Sequence, residues 1–331
     1  MASVIRAIRS AFAVVASALA VLILPAVALG HGSVSAPPSF PALLLDWRLD
    51  PVPIAGVALA ATAYGWAVRR VGRRHPAHRP SRRRTLAFMA GLVTILVALV
   101  SPIEAYEGQL FSVHMVQHML LELVAAPLLL LGAPITLSLR AASTSVRPWL
   151  LGILQSRIVH VISFPLVAWL LFAGVNWGWH FSALYNVALE NPALHYVQHA
   201  SFLVAALLFW WPIVGLDPSP WRMAYPLRLF YLFLAMPQNS FLGVSLMSAG
   251  QALYPHYLAA RSWGPSPLDD QNLGGTVMWV LGDMVFLVAM GLVVIAWARL
   301  EDRRTVRLDA RLDAAEAAAA AAARSATDGG T

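Results

Sequence analysis

The chain contains no cysteine and no lysine. The first absence excludes disulfides, thiolate nucleophiles and thiolate metal ligands. Any metal must then be held by histidine, methionine, carboxylate or backbone oxygen. The second absence leaves arginine to carry all 23 basic charges. Charge itself is scarce: 12% of the 331 residues are charged and 59% are hydrophobic. Soluble domains carry about 25% charged residues, so this is the composition of a membrane protein. The net charge of +7 does not point to nucleic acid, because the arginines lie between apolar blocks, where a membrane accounts for them.

A helix needs about 20 apolar residues to cross a bilayer. Candidate blocks are Ala11–Leu29, Pro51–Val68, Thr85–Ile103, Val113–Leu131, Ile158–Val175, Ala193–Val214, Leu227–Met247 and Gly274–Ala298. The expected fold is all-α, a polytopic membrane helix bundle of seven core transmembrane helices plus an N-terminal signal or anchor segment. Residues 1–30 form that segment, 31–298 the multi-pass domain, and 299–331 a charged, alanine-rich tail. The first block follows a basic stretch, MASVIRAIRS, and ends with Ala28 and Gly30 at the −3 and −1 positions before His31. That pattern fits a signal peptide; a retained anchor fits the apolar length as well. Cleavage would make His31 an amino-terminal residue able to chelate a metal through its amine and imidazole. In the tail, the run Ala314–Ala323 is broken only by Glu316 and predicts a short helix without an apolar stripe.

Arginine favours cytoplasmic loops. The run RRVGRRHPAHRPSRRR at Arg69–Arg84 therefore predicts a cytoplasmic loop, and alternation places Arg140, Arg147, Arg157, Arg222, Arg228 and Arg299 on the same side. Seven of the ten histidines then fall on the opposite side: His31, His114, His118, His180, His195, His199 and His256. Histidine is common at helix ends, so any one of them is unremarkable alone.

Two of these histidine pairs repeat. HMVQH spans His114–His118 and HYVQH spans His195–His199, with the same offset of 195 − 114 = 81 residues. Residues four apart share a helix face, and both segments run from the outside inwards. If the helices are near each other, four imidazoles converge at one depth. Imidazole suits copper, zinc and iron. Met115, Met119, Met247 and Met278 lie at similar depth, and thioether favours Cu(I); their ordinary role is apolar filling. The strings are not HExxH, since Met115 and Tyr196 occupy the second position, which argues against a metalloprotease. Glu122 continues the face of the first pair, and Asp283 lies within the last block. Intramembrane carboxylates are costly and point to function, or else to hydrogen-bonded helix contacts. MPQNS at Met236–Ser240 predicts a kink, or a break lining a cavity.

The stretches HMVQHMLLELVAAPLLLLGAP (His114–Pro134), NWGWHFSALYNVALENPALHYVQHASFLVAALLFWWPIVG (Asn176–Gly215), LYPHY (Leu253–Tyr257) and DDQNLGGTVMW (Asp269–Trp279) resemble the CtaG-type family of cytochrome c oxidase assembly factors. The resemblance implies a bacterial plasma-membrane protein that works with cytochrome c oxidase subunits and handles copper without turnover. It points to His114, His118, His180, His195 and His199 as functional, with weaker support for Asp270 and Gln271. Glu122 and Asp283 depart from the family pattern, in which apolar or small residues are more usual. The histidine cluster would lie on the extracytoplasmic side. Two alternatives stand beside this reading. One is a haem-binding transmembrane electron carrier, in which each haem takes one histidine from each helix. The other is a membrane oxidoreductase with a histidine-bound metal, weakened by the lack of a carboxylate in the pentapeptides.

Overall fold

The computed structural model describes residues 45–328, with Pro37 and Ser39. The expected signal or anchor segment and His31 lie outside the described residues. Helix α1 is Pro51–Arg74, α2 Arg82–Val100 and α3 Pro102–Tyr106. Next come α4 Phe111–Met119, a π-helical segment Leu120–Ala125, α5 Ala126–Leu131 and α6 Pro134–Ala141. The short α7 Arg147–Leu154 and α8 Arg157–Ile162 precede α9 Pro165–His180, α10 Leu184–Glu190 and α11 Pro192–Val214. Last are α12 Tyr225–Met247, α13 Pro255–Ala259 and α14 Pro267–Asp328. Among the described residues there is no strand.

Among the described residues, six helical stretches are long and apolar enough to cross a membrane: Pro51–Arg74, Arg82–Tyr106, Phe111–Ala141, Pro192–Val214, Tyr225–Met247 and Pro267–Ala317. The all-α membrane bundle is therefore present, but the count of seven spans is not met by continuous helices. The expected span Ile158–Val175 is broken between α8 and α9. Pro165 sits at the first position of α9, where its missing N–H costs nothing and its ring disfavours helix in the preceding residue. The tail also differs from expectation. It is no separate helix, because α14 runs on through Arg299.

Local chemistry sets where the helices begin. Asp50 Oδ1 accepts from Val52 N at 2.8 Å and Pro51 follows it, which starts α1. Pro127 explains the widened turn ahead of α5, since it cannot donate to the backbone above it. There the Ala126 N–H bonds to Leu121 O, and Trp210 Nε1 donates to Glu122 O at 2.9 Å. Helices α12 and α14 cross with almost no gap. A Cβ on Gly243 would lie 2.7 Å from Gly275 O, and one on Gly275 would lie 2.7 Å from Gly243 O. Such small-residue crossings let helix backbones approach in a bilayer.

The bundle has two chemically different ends. At one, Tyr196 OH on α11 donates to Asp50 Oδ2 at 2.6 Å. At the other, Arg70 Nε on α1 donates to Ala141 O at 2.7 Å, and Arg140 Nη2 donates to His78 O at 2.5 Å. The basic loop and the end of α6 thus share one end, while the start of α11 shares the other.

Candidate metal centre

The two pentapeptides enter their helices in the same register. His114 is three residues after Phe111, the first of α4, and His195 is three after Pro192, the first of α11. Both helix starts are capped. Phe111 N donates to Asp270 Oδ2 at 2.7 Å, and Ser112 Oγ donates to Asp270 Oδ1 at 2.5 Å. Asn191 Oδ1 accepts from Ala193 N at 3.0 Å and from Leu194 N at 3.2 Å. Packing holds α4 in place. A Cβ on Gly274 would come 2.4 Å from Phe111 Cδ1, so only glycine lets α14 lie this close.

From those starts the four imidazoles meet. His114 Nε2 lies 2.8 Å from His118 Nε2. Ring centroids are 4.2 Å apart for His195 and His199, 5.4 Å for His114 and His195, and 5.7 Å for His118 and His199. All four are buried. The histidines therefore lie inside the protein rather than on its surface. The reason is a cover contributed by distant segments, in which Tyr185 and Tyr257 are themselves buried. Burial pushes the hydroxyls of Tyr185 and Tyr257 well above the usual tyrosine range, so both remain neutral O–H groups.

The carboxylate absent from the pentapeptides comes from elsewhere. Buried Glu107, just after α3, places Oε2 3.0 Å from His114 Nδ1 and 3.8 Å from His195 Nε2. Tyr257 OH donates to Glu107 O at 3.1 Å and lies 3.0 Å from His114 Nδ1. Two compact groups result: His114, His118 and His199, and Glu107, His114 and His195. In each, one donor atom per residue lies within 4.8 Å of the others. Behind them, Gln117 Oε1 faces His199 Nε2 at 3.0 Å, while Gln117 Nε2 donates to Glu104 Oε2 at 2.6 Å and to Ala98 O at 2.9 Å. Sequence reasoning missed Glu104, Glu107 and Tyr257. The available signal was SPIEAYEGQL, whose two carboxylates lie immediately ahead of the first pentapeptide. A cleft of about 550 Å³, walled by Val57, Leu92, Leu121 and Leu203, reaches Glu104, His195 and His199.

The other expected site residues divide. His180 is adjacent, its ring 6.1 Å from that of His118. Its Nδ1 lies 2.7 Å from Asn176 O and so carries the proton, which turns the Nε2 lone pair toward Met115 Sδ at 3.4 Å. Met119 and Met278 pack in the apolar core. His256 Nε2 donates to Gly108 O at 2.9 Å and braces the turn carrying Glu107, outside both groups. Glu122 accepts from Asn176 Nδ2 at 2.9 Å, and belongs to neither group. Asp283 accepts from Ser240 Oγ at 2.7 Å and Asn239 Nδ2 at 3.2 Å, so it joins α12 to α14. The MPQNS stretch stays helical around Pro237. Asp270 caps α4 rather than facing the imidazoles. Gln271 accepts from Leu253 N at 2.7 Å and donates to Leu246 O at 3.0 Å, fastening the loop before α13.

Residues 62–300 match the cytochrome c oxidase caa3 assembly factor family, Caa3_CtaG. The chain belongs to this family. Similar curated proteins are uncharacterized protein Mb0105 of Mycobacterium bovis and uncharacterized protein MT0111 of Mycobacterium tuberculosis, each 33% identical over 289 residues. Uncharacterized protein ML1998 of Mycobacterium leprae is 30% identical over 289 residues. Each alignment covers 84% of this chain but 43% of the relative, so the chain spans less than half the length of the curated relatives it matches. No solved structure matches it. Every residue of the two compact groups lies inside the stretch matched to the caa3 assembly factors.

Proposed function

We propose that this caa3 assembly factor serves the maturation of a cytochrome c oxidase by holding copper as cargo at the buried histidine cluster. The observation that carries the reading is the convergence of His114, His118 and His199. Their donor set fits the ion: imidazole nitrogens bind copper well. Bonds of about 2 Å accommodate two ligand atoms that face each other at 2.8 Å, as the Nε2 atoms of His114 and His118 do. His195 and Glu107 extend the donor set, and His180 with Met115 stands beside it. No turnover is required of a carrier. The oxidase subunit to be metallated and the bilayer are its partners.

The protein sits in the bacterial plasma membrane, with the histidine end extracytoplasmic. The arginine-rich opposite end supports that orientation. Residues 1–30 serve as signal or anchor, 31–298 as the membrane domain and 299–331 as a cytoplasmic extension. Single cysteines at Ser81 and Ser182 are expected to label from opposite sides of the membrane; labelling of both from outside reverses the orientation.

The direct test is metal analysis and an absorption spectrum of the full chain purified from copper-supplemented cells. Copper bound without a Soret band is the expected result. A Soret band would support the haem carrier instead, and protein free of copper would overturn the cargo reading.

A further inference from the structure

His114 belongs to both compact groups, and it enters them through different atoms. Its Nε2 faces His118 Nε2 at 2.8 Å, and its Nδ1 faces Glu107 Oε2 at 3.0 Å. One cation cannot use both nitrogens, because they point away from each other across a rigid ring. A neutral imidazole offers one lone pair and one N–H. The ring therefore presents a ligand to one side and a proton to the other.

We infer that the cluster is two stations for a single cation, one formed by His114 Nε2, His118 and His199 and the other by His114 Nδ1, Glu107 and His195. The inference rests on the proposed metal handling. The proton accounting closes at both stations. With the cation at the first, the His114 proton is on Nδ1 and is donated to the Tyr257 hydroxyl oxygen at 3.0 Å, whose own proton goes to Glu107 O. With the cation at the second, the same proton is on Nε2 and is donated to His118 Nε2. The cation and the proton exchange sides of one ring, and the number of protons bound does not change. Each His114 nitrogen already faces an acceptor for the state in which it does not bind metal, so neither state strands the His114 N–H.

The stations differ in kind. The first offers imidazoles only; the second adds a carboxylate, a harder ligand. The second is also braced for the purpose. Tyr257 OH holds Glu107 O at 3.1 Å, and His256 holds the neighbouring Gly108 O at 2.9 Å. These bonds fix the turn that aims Glu107 at the histidines.

The alternative role for Glu107 is that of an outer partner that only orients His114 for a single site. Such partners change metal affinity by about 10–100-fold. The two roles separate when one station is removed. Full-length protein, its His118→Ala and Glu107→Gln variants and their combination are titrated with Cu(I) against a competing chelator. Tyr257 still accepts the His114 proton, so the first station survives Glu107→Gln. Wild type is expected to bind one equivalent. Each single variant is expected to keep that equivalent with an affinity loss within the outer-partner range, about 10–100-fold. The combined variant is expected to lose it altogether.

A His118→Ala protein that loses Cu(I) as completely as the combined variant overturns the second station and leaves the first intact. Two equivalents on wild type also overturn it, since the ring would then serve two ions at once. No binding by wild type sinks the cargo reading itself. Helix content by circular dichroism and a single gel-filtration peak are required of each variant. His195→Ala combined with His118→Ala repeats the test through a second residue, and is expected to abolish binding in the same way.

Discussion

HMVQH on α4 and HYVQH on α11 share a string and a register, yet their surroundings differ. The first is embedded. Met115 is in the core, and Gln117 bonds at both ends of its amide, to Glu104, Ala98 and His199. The second lies at the bundle edge. Val197 is 55% exposed, Tyr196 reaches out to Asp50, and the side-chain amide of Gln198 is buried without a hydrogen-bond partner among the described residues. Identical residues thus do unequal work. On α4 the glutamine holds the frame of the site; on α11 it only fills space. The histidines are the part of the string that both helices use alike.

The comparison breaks most sharply at the two glutamines. Gln117→Leu removes the donor to a buried side-chain carboxyl and to a backbone carbonyl, and leaving a buried acceptor unsatisfied costs about 1–3 kcal/mol. It is expected to cost about 3 kcal/mol and to lower the thermal midpoint of the detergent-solubilised protein. Gln198→Leu replaces an unpartnered amide by an apolar group of similar size, a change that is nearly neutral or stabilising. Equal destabilisation by the two would contradict the asymmetry.

A smaller effect is expected at the caps. Asp270→Ala removes two bonds from the start of α4, at a cost of about 1–2 kcal/mol, and Asn191→Ala at the start of α11 costs about 1 kcal/mol. The charged cap is the stronger one, so denaturant or thermal melts should rank Asp270→Ala below Asn191→Ala in stability. The reverse order would place the better-anchored pentapeptide on α11.

The smallest effect belongs to Asp283. Its bonds to Asn239 and Ser240 join α12 to α14, and such interhelical bonds average about 0.6 kcal/mol. Asp283→Asn is expected to leave oxidase copper content unchanged. A loss of copper at normal protein abundance would return Asp283 to the site.

Most of the helix frame was legible from apolar blocks and their punctuation. The block beginning at Pro51 meets the observed helix start because Asp50 caps it and proline follows, and the block ending at Val214 meets the observed end because Gly215 takes the left-handed conformation there. The break at Pro165 was also written in the chain, but an apolar run on both sides hid it. The convergence of the pentapeptides was readable from their spacing and shared direction. The burial of the cluster was not, because Tyr257 closes over His114 from 143 residues away. Glu107 was hidden for the same reason. Beyond the apolar run ending at Ile103 it reads as an exposed loop acid, and only the fold brings α13 down upon it.

The central claim is that both pentapeptides build one site. Oxidase copper content, normalised to the membrane abundance of this protein, tests it in strains carrying His118→Ala, His199→Ala and both. His118 and His199 both belong to the first station, so losing either removes that station whole and their losses do not add, even where the second station still holds copper. The account predicts that each single substitution abolishes copper loading of the oxidase and that the double variant is no worse. Partial losses that add in the double variant, or normal loading in either single variant at normal abundance, would contradict it.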